Sequence, residues 1–302
     1  MLEPLDLTSL VERVIKDNPA ASTNRTVIEK ELLHYDILYV LGKTGLLDNL
    51  TFQGGTCLRL CYGANRYSED LDFVVGAPIT QELCDEVYDT LQRNIETRYG
   101  LPVRVTGIAP KARDDGIEVS KWQVTVDTRP EQSDVPSQRI KIELCSVPAH
   151  TRSLQRVQSN YRGLPQGYTQ QLIKCESLPE IYADKVKALI TNRRFVRYRD
   201  IWDLGWLHEQ GVKLDGELLR AKIADYQVQD YPALLEKAQE WLPDAIHSKA
   251  FADEMTRFLP VAVLDASFYQ QGFLDYLQGH FERVVLREAK IAISTGAGFR
   301  MS

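Results

Sequence analysis

Residues 54–73 read Gly-Gly-Thr-Cys-Leu-Arg-Leu-Cys-Tyr-Gly-Ala-Asn-Arg-Tyr-Ser-Glu-Asp-Leu-Asp-Phe, and this stretch decides the fold. Leu50 to Gln53, just before it, is a short apolar strand that the two glycines stop, and a helix follows from Thr56 to Tyr62. Asp70 to Val75 alternates and ends on β-branched residues, which predicts a second strand. Side chains two apart on a strand share a face, so Asp70 and Asp72 stand side by side while Leu71 and Phe73 turn to the core. Two adjacent carboxylates repel when both are ionised, and a cation relieves that repulsion. Magnesium suits the pair, with manganese as the substitute, because it takes hard oxygen ligands from one or two carboxylates plus substrate phosphates. Gly54 and Gly55 let backbone N–H groups approach a phosphate closely, and a helix entered there aims its positive end the same way. Taken singly, each feature has a plainer use: an Asp-x-Asp at a strand edge, a Gly-Gly turn, and Arg66 and Ser68 capping a loop.

Outward from this stretch, helices are predicted over 7–17 and 25–42 on the N-terminal side. In the second, Val27, Ile28, Leu32, Leu33, Ile37, Leu38 and Leu41 recur at helical spacing, with Glu29, Lys30, Glu31 and Asp36 between them. On the C-terminal side come a helix over 80–98 and strands over 101–108, 117–127 and 139–147. Trp122, Val124 and Val126 share one strand face, as do Ile140, Ile142 and Leu144. Residues 128–138 form a polar loop, and 148–170, rich in Gly, Pro, Ser and Gln, is expected to be irregular. Helices then dominate: 178–192, 199–210, 215–228, 231–240, 246–258 and 268–288, with a frayed tail over 296–302. The expected fold class is α/β, or α+β: a small mixed sheet flanked by helices, followed by a helical C-terminal region. The boundary is placed near 170, giving a first domain over 1–170 and a helical second over 171–302.

Composition narrows the function classes. The chain of 302 residues is 44% hydrophobic and 26% charged, as a soluble globular protein is. A net charge of −6 means that any nucleic-acid contact comes from a local basic patch rather than the molecule as a whole. The densest positive run is residues 192–199, where Phe195 and Tyr198 interleave with Arg193, Arg194, Arg197 and Arg199. Such a segment can hold phosphates and stack on bases, or pair with neighbouring acids. Five cysteines without zinc-ribbon spacing read as reduced thiols, Cys57 and Cys61 packing as small apolar groups. The N-terminus lacks the apolar stretch of a signal peptide and no window has the length of a membrane span, so a cytoplasmic location is expected. The five histidines show neither metal-ligand spacing nor a triad.

The strand–turn–helix–strand combination resembles the DNA polymerase β nucleotidyltransferase superfamily, whose signature is a Gly-Gly or Gly-Ser turn followed by Asp-x-Asp. More narrowly, residues 54–73 resemble the AbiEii/AbiGii toxin family, which includes the MenT toxins, with Tyr67 where that family usually has Phe. A second block, Leu178 to Leu189 and then Arg199 to Leu204, is similar to the family's helix carrying a lysine followed by Arg-Asp-x-x-Asp-Leu. The resemblance implies that Asp70 and Asp72 hold magnesium and that Gly54, Gly55, Thr56, Arg59, Arg66 and Ser68 seat the nucleoside triphosphate. It implies that Lys185, with Lys187 as the alternative, contacts phosphate, and that Asp200 or Asp203 organises catalysis. Read from periodicity alone, Lys185 can equally be a solvated lysine, and Asp200 and Asp203 an N-cap or ion pair with Arg197 or Arg199. A third carboxylate is expected by superfamily analogy: Glu143, which alternates away from the apolar face, or Asp127 at the end of the earlier strand.

The residues read as a site for metal-assisted nucleotidyl transfer, and the resemblance implies that the transfer is Mg2+-dependent, from an NTP to an RNA acceptor such as a tRNA 3′ end, by the toxin of a toxin–antitoxin pair active in abortive phage infection. A cognate antitoxin is the implied protein partner. The alternatives are a nucleotidyltransferase acting on a small molecule or a protein, and a non-catalytic nucleotide-binding module.

Overall fold

A computed structural model describes residues 3–18, 25–112, 116–132, 134–192 and 194–296. The expected tail beyond 296, and Arg193 of the basic segment, lie outside the described residues. The chain forms two compact units, one of Met1–Gly63 with Tyr67–Cys175, the other of Ala64–Arg66 with Glu176–Ser302. The division therefore falls at Cys175/Glu176 rather than at 170, and a three-residue piece of the 54–73 stretch belongs to the second unit.

In the first unit, α1 (Leu7–Asp17) and α2 (Arg25–Lys43) precede β1 (Thr51–Gln53). Then come α3 (Gly54–Cys61), β2 (Asp70–Val74), α4 (Gln81–Tyr99), β3 (Val103–Ala112), β4 (Glu118–Val126) and β5 (Gln138–Cys145). The last elements are β6 (Arg152–Arg156), the short α5 (Gln166–Thr169) and β7 (Leu172–Glu176). Among the described residues the strands form one mixed sheet in the order β3-β4-β5-β2-β1-β7-β6. β2 lies at its centre, antiparallel to β1 and parallel to β5, so the Asp-x-Asp strand is held on both edges. Phe52 of β1 and Phe73 of β2 stack at 5.0 Å between ring centroids, fixing the register beneath the acids.

Three expectations are corrected here. α3 begins at Gly54, so the glycines are its first turn rather than a turn before it. The stretch 148–170 contains β6 and α5. α2 is not polar on one side: Glu29, Glu31 and Asp36 are all buried. Each has a cation to justify its burial, Glu29 at 2.8 Å from Arg129, Glu31 at 3.2 Å from Arg59 and Asp36 at 2.7 Å from Arg98.

The second unit is helical: α6 (Leu178–Thr191), α7 (Tyr198–Glu209), α8 (Gly216–Asp225), α9 (Tyr231–Ile246) and α10 (Lys249–Phe258). α11 (Val261–Val263), α12 (Phe273–His280) and α13 (Leu286–Gly296) follow, with π-helical turns at Leu264–Phe268 and Phe281–Val285. The expected continuous helix over 268–288 is interrupted, because Gly272 sits at φ +80 and starts α12 afresh. α6 is the central helix of this unit, packing on α7, α8 and α9. It is started by Ser177, whose hydroxyl accepts from the Glu180 N–H, with Pro179 in the first turn. No described helix is long and apolar enough to cross a membrane.

Candidate active site

On β2 the alternation holds residue by residue: Asp70 and Asp72 are half-buried, while Leu71, Phe73 and Val74 are buried. β1 lies antiparallel with Gln53 opposite Asp72, which brings the start of α3 against the Asp72 side chain. Gly54 has φ +79, and a Cβ there would lie 2.6 Å from Asp72 Oδ2. Only glycine combines that backbone angle with that approach, so the helix N-terminus and the carboxylate are fitted to one another. Thr56 is fully buried, and its hydroxyl donates to the Asp70 carbonyl oxygen at 2.5 Å. Its side chain thus ties α3 to β2, and what this turn presents outward is the set of N–H groups that a first helical turn leaves without intrahelical acceptors. Ser68 is half-buried in the segment just before β2. That segment is also held from α2, where His34 Nε2 donates to the Glu69 carbonyl at 3.0 Å.

Glu143 of β5 is the cross-strand partner of Asp72, and Lys141 that of Asp70. A depression of about 270 Å³ beside the pair is lined by Asp70, Asp72 and Glu143 together with Lys121, Gln123 and Lys141. Glu143 is ion-paired to Lys121. Asp70, Asp72 and Glu143 therefore share one sheet face, while Asp127 lies beyond the end of β4. Two carboxylates next to a helix N-terminus are a donor set that fits magnesium bound together with phosphate. Among the described residues, the one group of three potential metal ligands whose donor atoms all approach within 4.8 Å is Cys57, Cys61 and Cys175. These thiols are buried, as the small apolar packing of Cys57 and Cys61 requires, but the third member comes from β7, far along the chain.

Two basic candidates, one on each unit, are committed to the scaffold of their own unit. Arg59 Nε donates to both Glu31 carboxylate oxygens at 3.2 Å, and its guanidinium lies 5.1 Å from the Tyr67 ring centroid. Lys187, in the second unit, is buried 2.8 Å from Asp184 and 3.1 Å from the Tyr226 ring centroid.

The second unit assembles the other motif into one buried ion network. Arg66 donates through Nε and Nη2 to the two oxygens of Asp203, both at 2.5 Å. Lys185 Nζ lies 2.7 Å from Asp200 and 2.6 Å from Asp203, and Arg197 pairs with Asp200. Lys185 is only 7% exposed, so it is not a solvated lysine. Burial alone would raise the Asp200 pKa, but Lys185 and Arg197 outweigh it and hold the carboxyl below its ordinary range. Asp203 is lowered in the same way against its burial, chiefly by Arg66 and then Lys185. The pairing of Asp200 with Arg197 was legible from spacing, but the bidentate grip of Arg66 on Asp203, 137 residues apart, was not. In the basic segment Arg199 stands 3.3 Å from Glu254 and over the Phe258 ring, while Phe195 is 62% exposed.

A second buried cluster was missed altogether. Lys222 Nζ lies 2.8 Å from Glu176 and 2.7 Å from Glu180. Burial pushes the Glu176 pKa up to about 8, Lys222 pulling the other way. The only sequence signal was the position of Glu180 in the first turn of α6, which also reads as a dipole-favoured surface acid.

Comparison with known proteins gives three findings. The family described as "Nucleotidyl transferase AbiEii toxin, Type IV TA system" matches residues 36–271. No match to a curated protein sequence was found. Two crystal structures of Helicobacter pylori proteins are similar, each at 18% identity and a TM-score of 0.46. JHP933 is aligned over 91% of this chain and 97% of its own, and a candidate nucleotidyltransferase over 88% and 97%.

Proposed function

The chain belongs to the AbiEii nucleotidyl transferase toxin family of type IV toxin–antitoxin systems, and from that premise we propose that it moves a nucleoside monophosphate from an NTP to an RNA hydroxyl, a tRNA 3′ end. The observation that carries this reading is the fit of Gly54 to Asp72, which sets a helix N-terminus against a pair of carboxylates on one strand face. The backbone N–H groups at Gly54 and Gly55 receive phosphate oxygens, and the half-buried Ser68 hydroxyl is within the same stretch to add a donor. Asp70 and Asp72 hold magnesium, or manganese in its place, which when bound stabilises charge on the phosphates and orients them. The RNA hydroxyl attacks the α-phosphorus; the new O–P bond forms as the bond to the β-phosphate oxygen breaks, and pyrophosphate leaves. Glu143, next to Asp72 on the same face, accepts the hydroxyl proton at its carboxylate.

For Lys185 to meet phosphate, as the family resemblance implies, it exchanges a carboxylate partner for the ligand; Arg66 on Asp203 and Arg197 on Asp200 keep both acids neutralised when it does. The antitoxin that goes with the family holds the activity in check in the cytoplasm until phage infection releases it. Incubation with each α-labelled NTP, transfer RNA, small acceptors and protein, with and without Mg2+, tests the reading. Label in RNA, dependent on the metal, is the expected result. Label only in a small molecule or a protein replaces the acceptor, and no label with any of them sinks the assignment.

A further inference from the structure

The strands carrying the acids continue into an open face that extends beyond the residues assigned to the reaction centre. Register places side chains in rows that run across the sheet. One row is Asp70, Lys141 of β5, Gln123 of β4 and Thr106 of β3; the next is Asp72, Glu143 and Lys121. A third, one step further along β5, is Arg139, Thr125 and Arg104. Direct partners and residues two apart project from the same side of a sheet, so all of these share the face of Asp70 and Asp72. The opposite side, with Val105, Trp122, Val124, Ile140 and Ile142, is buried. On the open side Arg104, Lys121, Arg139 and Lys141 are exposed, and Glu143 alone among the strand residues of these three strands opposes them, paired with Lys121.

Acids outnumber bases 42 to 36 in the chain, whereas the part of this face carried by β3, β4 and β5, outward from Asp70 and Asp72, sets four cations against the single acid Glu143. Strands are spaced about 4.8 Å apart, so β5, β4 and β3 carry that charge about 15 Å outward from β2. Among the described residues of β3, β4 and β5 the register sets no aromatic residue on this side, which leaves charge and hydrogen bonding, rather than base stacking, as what it offers.

We propose that this face is the track for the sugar–phosphate backbone of the RNA acceptor, with Arg104, Arg139 and Lys141 contacting phosphates and leading the 3′ end to Asp70 and Asp72. The proposal rests on the reading of the acceptor as RNA. It assigns the affinity to the backbone, so binding is tolerant of sequence and sensitive to salt.

The test measures binding without catalysis: anisotropy of fluorescently labelled transfer RNA against the full chain, with no NTP, from 50 to 200 mM salt. The Arg104→Gln/Arg139→Gln/Lys141→Gln variant is compared with wild type and with Lys213→Gln/Lys237→Gln/Lys290→Gln, which changes net charge equally through exposed lysines of the second unit. Thermal unfolding confirms that all three are folded. The expected result is at least tenfold weaker binding for the face variant and a salt slope shallower by about 2, from about 0.7 per lost single-strand phosphate contact. The control variant stays within about threefold of wild type. Equal weakening in both variants, unchanged binding in the face variant, or no RNA binding by wild type each overturns the track. Unchanged RNA binding with lost binding of an acidic protein would instead make the face a protein-docking surface. Because no transfer is measured, a failure here leaves the label-transfer result for the reaction centre standing on its own.

Discussion

Two pairs of aspartates, each recognisable as a motif, are handled in opposite ways. Asp200 and Asp203, three apart on α7, are buried in the second unit, and the protein itself supplies Lys185, Arg66 and Arg197 to neutralise them. Asp70 and Asp72, two apart on β2, are half-buried beside a depression of about 270 Å³ and a glycine-started helix. The first arrangement is a closed electrostatic circuit that fixes helices; the second stands half-buried at the edge of an open depression, where the proposed reading puts metal and phosphate. Spacing within an element says which side chains stand together, but the environment decides whether the protein's own cations close them off or an open depression adjoins them.

The largest test of this contrast is Asp203→Ala. It leaves Arg66 and Lys185 facing each other in a buried site, and stability in urea is expected to fall by about 3–5 kcal/mol. Asp72→Ala, on the open face, is expected to cost less than about 1 kcal/mol by the same measurement. Equal losses would erase the distinction.

Acid titration sharpens it from another direction. Burial depresses the pKa of His34 to about 4, and that of His280 likewise to about 4. Below the unfolded value of 6.5 the unfolded chain binds protons that the native one refuses, so stability is present above pH 6.5 and is lost as pH falls towards 4. Each histidine contributes up to about 3 kcal/mol to that loss. Asp200 and Asp203, held below the ordinary carboxylate range, stay ionised through this window. His34→Gln keeps a donor for the Glu69 carbonyl and removes the proton uptake, so its urea midpoint is expected to depend less on pH between 6.5 and 4 than that of wild type. An unchanged slope would contradict the buried, neutral His34.

A smaller effect on stability is expected at Gly54. Alanine there meets a backbone at φ +79 and a Cβ position 2.6 Å from Asp72 Oδ2, a strain of about 1–2 kcal/mol. Displacement of the carboxylate is expected to lower transfer about a hundredfold, read as kcat at saturating NTP.

Much of this was legible beforehand, for reasons that also explain what was not. Period-two alternation placed Asp70 and Asp72 side by side and turned Glu143 away from its strand's apolar face, because local pattern and strand geometry are the same fact; that all three share one face follows from the pairing of β2 with β5, which no local pattern carries. The bidentate hold of Asp203 on Arg66 joins residues distant in sequence, and no periodicity carries that. The acids of α2 read as a solvated stripe because a buried carboxylate and an exposed one look alike until Arg59, Arg98 and Arg129 are placed. β6, Arg-Ser-Leu-Gln-Arg, shows no buried residue in its pattern and therefore gave no apolar signal. Thr56 looked like a phosphate ligand by its place in the motif, whereas its hydroxyl is donated to a backbone carbonyl fourteen residues on.

The most direct measurement is metal-dependent transfer of α-labelled nucleotide to transfer RNA by folded Asp72→Asn beside wild type. Loss of at least about a thousandfold in rate, with the urea midpoint unchanged, is predicted from an acid that serves the reacting phosphates and not the fold. A folded variant that transfers label within tenfold of wild type would contradict the account.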